Sequence, residues 1–183
     1  KTISAATPEA DAVNSQGIPP QNQVSEGPLE YYARFDGISG WLELDSLSFG
    51  LTAIYSGSLG GGTSLSSSSA TSVGLGLGSG NTLTTLSNIL FNGKNPASIE
   101  IEVYRAGSSK QLVDEFVFQN LVIDGLASSN AVSNQLNLDY LTIKHGHLDY
   151  DANGKILSTT LAGWDFAADK TVSATTPQAD VFP

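Results

Sequence analysis

Cysteine and methionine are both absent from this 183-residue chain. Without cysteine there is no disulfide, no thiolate ligand and no thiol nucleophile, so the fold must rest on its core. Without methionine, Lys1 is expected to be either a processed end or a cut boundary, and the sequence leaves open whether a targeting signal has been removed. Positive charge is scarce: 8 Lys and Arg stand against 18 Asp and Glu, a formal net charge of -10. That balance argues against nucleic acid and anionic membranes as partners and favours solubility. No stretch approaches the ~18 apolar residues of a membrane span. A further absence is local. From Ser46 to Gly93 there is not one Asp, Glu, Lys or Arg. Within that segment, 56–80 is rich in Gly and Ser and carries Leu59, Leu65, Val73, Leu75 and Leu77. A flexible linker is one reading of it. A solvated loop of an acidic protein would normally carry charge, however, and we expect a surface buried on assembly, with those five apolar residues at the interface.

Three segments are expected: a proline-containing arm over 1–29, a β-domain over 30–168 and a tail over 169–183. A body of about 140 residues buries roughly two thirds of its unfolded surface, enough for an unstapled core. Pro19-Pro20 keeps the arm out of regular structure. The two ends echo each other. Residues 1–11, KTISAATPEAD, align with residues 170–180, KTVSATTPQAD, with eight of eleven positions identical at an offset of 169. This is the pattern expected of one unit cut from a tandem array; two tails of similar composition are the alternative.

Between the ends, alternation dominates. Tyr31 to Ile38 and Trp41 to Leu51 read as strands around a turn at Gly37 to Gly40. In the second, Leu42 and Leu44 give way to Leu47 and Phe49, a change of side that marks a bulge. Thr82 to Asn92 is the one convincing helix, with Leu83, Leu86, Ile89 and Leu90 as its stripe and Gly93 as its stop. Ile99 to Leu126 and Leu136 to Phe166 are expected to form hairpins closing a barrel. In the last, Leu136, Leu138 and Tyr140 take one face and Leu141 and Ile143 the other, as in a strand covered on both sides. Asp151-Ala152-Asn153-Gly154 makes the turn, and Trp164 plugs the barrel end. Many strands, one short helix and no βαβ rhythm predict a mainly β, antiparallel barrel or sandwich.

The order of these elements resembles the Hcp proteins (haemolysin-coregulated protein), tube subunits of bacterial type VI secretion. The likeness spans roughly Tyr31 to Phe166. It is carried by Phe35-Asp36-Gly37-Ile38-x-Gly40, Leu42-x-Leu44-x-Ser46-x-Ser48-Phe49-Gly50, Asn92-Gly93-Lys94, and Tyr150, Gly154 and Gly163-Trp164-Asp165. It implies a small Hcp-like β-barrel with a helix on one side, often stacked as hexameric rings whose long loop reaches the next ring. The proline-rich arm and the echoed ends depart from single-domain tube subunits.

Candidates for chemistry are few. His145, His147 and Asp149 share a strand face, and a His-x-His pair can hold zinc. Asp149-x-Asp151-x-Asn153-Gly154 opens like a calcium loop, but Thr160 stands where the bidentate Glu belongs; Asx-turn chemistry explains the same residues. Glu100 and Glu102 read as a solvated strand face. Ala70 to Gly74 lacks the first Gly of a nucleophile elbow, and the glycines at 74, 76, 78 and 80 lack phosphate-loop spacing. No catalytic set and no cofactor is expected. The functional expectation is a structural, self-assembling module of a secreted or surface-exposed bacterial protein, homo-oligomeric as a filament, tube or tandem array. The alternative is a type VI tube subunit carrying effectors. A glycan-binding module comes third.

Overall fold

The computed structural model describes residues 28–56, 64–70, 73–77, 84, 86–88, 91–93, 95–107, 110–129 and 133–180. Among these residues twelve strands form: β1 (Leu29–Phe35), β2 (Leu42–Ser48), β3 (Leu51–Ser56), β4 (Ser64–Ala70), β5 (Val73–Leu77), β6 (Ser98–Arg105), β7 (Gln111–Gln119), β8 (Val122–Ser129), β9 (Ser133–Asp139), β10 (Thr142–Tyr150), β11 (Ile156–Asp165) and β12 (Lys170–Thr171). Ten of them make one antiparallel sheet in the order β12-β11-β10-β7-β6-β1-β2-β5-β9-β8; β3 and β4 pair separately. The fold is mainly antiparallel β, as the alternation predicts.

The sheet is curled without being sealed, since its outermost strands β12 and β8 do not pair with each other. One long bent ribbon does the curling. β7 runs through Asn120 and Leu121 into β8, and β9 through Tyr140 and Leu141 into β10, while β8 pairs with β9 and β10 with β7. The corner bends at Asn120, whose φ of 56° is left-handed, a conformation Asn tolerates better than most residues. Within the two expected spans the hairpins β6–β7 and β10–β11 form, and β8–β9 joins one span to the other. Side chains from both halves of the sheet meet in one core that includes Phe35, Leu75, Ile99, Phe118, Leu138 and Ile143.

The corner also corrects the two-sided strand. Leu136, Leu138, Tyr140 and Ile143 all enter this single core, and Leu141 is 47% exposed. The break at Tyr140-Leu141 changes the phase of alternation, so Ile143 faces inward with the first set while Leu141 stays outside. The change of side in β2 is likewise a bulge, with its register slipping between Leu44 and Ser46. Thr84, 86–88 and Phe91 are helical, Leu86 is buried in the core, and Gly93 ends the turn at φ 63°. Leu83, Ile89 and Leu90 of the expected stripe lie outside the described residues. Trp164 packs against the core edge half-buried, as the wall of a cavity rather than a plug.

Candidate functional site

The segment expected as a free tail is docked. β12 pairs with the end of β11, and 172–180 continues across the outer face of the sheet. Its path follows a row set by register: Leu161 opposite Gly146, Gly146 opposite Glu115, Glu115 opposite Glu102. Gly146 leaves a notch that Pro177 fills, and a Cβ there would sit 2.5 Å from the Pro177 ring. Gly163 is bare for the same reason, facing the Val172 carbonyl. The Gln178 amide donates to Glu115 Oε2 (3.2 Å) and the Asp180 amide to Glu102 Oε1 (3.0 Å). The Asp180 carboxylate pairs with Arg34 (2.6 Å), which also holds Glu100 (2.6 Å) and lies over the Trp41 ring.

This strap explains two buried acids. Glu102 has no exposed surface and Glu115 is nearly as buried. Burial pushes both carboxyls above the usual glutamate range, and hydrogen bonds to Glu102 from Tyr104 and the Asp180 amide oppose it there. Unpaired, such groups would be costly; here each accepts a hydrogen bond from the strap backbone. The expectation that Glu100 and Glu102 line a solvated face is corrected accordingly. Alternation alone could not reveal a covering segment that lies some 75 residues further along the chain.

On the inner face, His145 and His147 gain a partner the sequence did not reveal. Asp114, on β7, stands opposite His147 in register and its Oδ1 meets His145 Nε2 (2.8 Å) and His147 Nδ1 (2.7 Å). His145 stacks on Phe116, and His147 Nε2 also meets Asp149 (3.1 Å), itself bonded to Ser158. Asp114, His145 and His147 offer three ligand atoms of the kind zinc takes. The hydrogen bonds among them satisfy the same atoms without an ion. Burial raises the Asp114 carboxyl, but the two histidines outweigh it and hold it below 3.8; burial lowers His147, but its carboxylates outweigh that and hold it above 6.5. The calcium-like residues serve the turn: Asp151 Oδ1 accepts the amides of Asn153 (2.8 Å) and Lys155 (2.9 Å), and Gly154 takes φ 79°.

The sign of the pH dependence follows. A depressed Asp114 stabilises the fold above its ordinary value and loses that effect as pH falls; a raised His147 stabilises it below its ordinary value and loses that effect as pH rises. The cluster therefore contributes most between about pH 4 and 6.5. Asp114→Asn is expected to cost about 1–3 kcal/mol in that window, with a smaller cost at pH 8, read from thermal melts across pH.

The five expected interface residues divide. Val73, Leu75 and Leu77 are fully buried in the core, so they cannot form an interface between subunits. Their intervening glycines are explained too, because a Cβ at Gly74 or Gly76 would collide with Ser48 or Ser46 of β2. Leu65 falls in β4, opposite Tyr55 of β3; Leu59 lies outside the described residues. The β3–β4 pair forms an arm with its own two-stranded sheet. Phe49 fixes its root by packing edge-on against Phe116 and Phe118. Beside it, a cavity of about 760 Å³ opens between the root, β11 and the start of the strap, walled by Phe49, Phe116, Trp164 and Val172.

A curled antiparallel sheet, a short helix packed through Leu86 and a two-stranded arm define a class of small, mainly β folds. The fold is that of the Hcp proteins of type VI secretion. A structure described as a type six secretion system protein matches with a TM-score of 0.69 at 15% identity, over 79% of this chain and 100% of that one. Hcp1 from Salmonella typhimurium matches at 0.62 and 18% identity, over 79% and 99%. The secreted protein Hcp3 from Pseudomonas aeruginosa matches at 0.52 and 12%, over 76% and 99%. No protein-family model and no curated protein matches the sequence.

Proposed function

We propose that the chain is a structural module that assembles with copies of itself, on the outside of the cell, into a filament, tube or tandem array. The observation that carries this reading is the arm: two strands that, among the described residues, pair only with each other, lying within a segment of 48 residues that has no charge in a protein of net charge -10. Such a surface is suited to burial against a neighbour and poorly suited to solvation. Exposed apolar residues on the lightly covered strand β11 (Ile156, Leu157 and Leu161) add a second sticky surface. The described secretion of the Pseudomonas relative in fold supports the location.

A type VI tube subunit is the second reading, favoured by how nearly the domain spans whole Hcp chains. Closed rings with an open lumen would support it, and open filaments the first. Leu65→Asp tests either. A charge desolvated without a partner costs several kcal/mol at each interface, so light scattering should show the particles reduced to monomers with an unchanged circular dichroism spectrum. Particles of unaltered size, or a wild type that stays monomeric at high concentration, would refute self-assembly through the arm.

A further inference from the structure

The echo between the two ends of the sequence acquires a meaning once residues 170–180 are seen docked. We propose that the groove across the outer face of the sheet is a receptor for residues 1–11 of a second copy of this chain, bound in the register that residues 170–180 occupy. The two side chains that key the strap into the groove have identical counterparts at an offset of 169: Pro177 and Pro8, Asp180 and Asp11. The notch at Gly146 takes a proline ring, and Arg34 takes an aspartate. The contacts to Glu115 and Glu102 come from backbone amides, which Glu9 and Asp11 supply equally.

The three positions that differ leave the contacts to Gly146, Glu115, Glu102 and Arg34 unchanged. Thr175 and Gln178 are exposed, so Ala6 and Glu9 meet solvent in their place. Half-buried Val172 becomes Ile3, one methylene larger, beside the cavity it helps to wall. Reach is also sufficient: residues 12–28 extend to roughly 55 Å, well beyond the ~14 Å radius of gyration of a domain of this size. In a tandem array, the strap of each barrel would be the segment leading into the next, so every groove is filled by the connection itself.

This deepens the assembly reading but rests on different residues, so either can fail alone. The chain has no cysteine, which makes single-site labelling direct. In the full chain, Ala179→Cys carrying a fluorophore reports whether the resident strap is docked. A synthetic peptide of residues 1–11 should displace it at about millimolar concentration, the range of an intramolecular competitor, and lower the dye anisotropy. A scrambled peptide should need at least tenfold more. Equal effects of the two peptides, or none, would overturn the proposal. Glu9→Cys with Glu115→Cys, treated with a short bismaleimide, then separates a second copy from the same chain. Covalent dimers and ladders are expected. Linkage closed within one chain, or no linkage, would overturn it, given that Gln178→Cys with Glu115→Cys closes within the chain. Performed in Leu65→Asp, the linkage reads strap exchange apart from contacts of the arm.

Discussion

Leu75→Asp leaves no folded protein to assemble. The side chain has no exposed surface, β5 lies inside the sheet between β2 and β9, and its cross-strand partners are Leu47 and Leu136. A carboxylate there loses its hydration and finds no partner. Losing the leucine contacts alone costs about 2–5 kcal/mol, and stranding the charge adds several more. Domains of this kind are stable by roughly 5–15 kcal/mol, so the loss consumes most or all of it. Circular dichroism should show no cooperative melt at pH 7. A folded monomer that merely fails to oligomerise would show that Leu75 lies at an interface and that the core assignment is wrong. Leu65→Asp should behave in the opposite way, and the pair separates folding from assembly.

Gly146→Val lifts the strap while leaving the sheet in place. Its Cβ would come within 2.5 Å of the Pro177 ring and 3.3 Å of Leu161, and a proline ring in a docked segment has little freedom to yield. Overpacking of this sort costs about 1–3 kcal/mol, and the strap can escape it by leaving. The amides of Gln178 and Asp180 should then exchange at least tenfold faster, while those of β6 and β7 keep their protection. Glu102 and Glu115 become hydrated, which relieves the burial that raises their carboxyls. Unchanged exchange at Gln178 and Asp180 would show that the notch does not hold the strap.

Much of the fold could be read locally. Period-two alternation gave most strands, though not β4 and β5, which lie in the Gly/Ser-rich stretch expected as a loop; Gly37, Gly40, Gly93 and Gly154 marked places where the backbone takes positive φ, and the change of side in β2 located its bulge. These are short-range properties, written in neighbouring residues. The Hcp likeness came from the same order of short elements.

What a residue faces is another matter, because it depends on chain segments far away. Leu75 was apolar within an uncharged stretch, which fits a core strand and an interface equally; only the pairing of β5 between β2 and β9 decided for the core. Glu102 alternated as a solvent-facing residue should, until the strap covered it. His145 and His147 advertised a shared face, but Asp114 joined them through the register of β7 with β10. The sequence by itself determined most of the strands, the turns and the echoed ends, since periodicity and φ preference act over a few residues. The tertiary structure alone decided which apolar residues are core, which acids are covered and where the echoed segment docks, because burial and cross-strand partners are set by contacts between segments tens of residues apart.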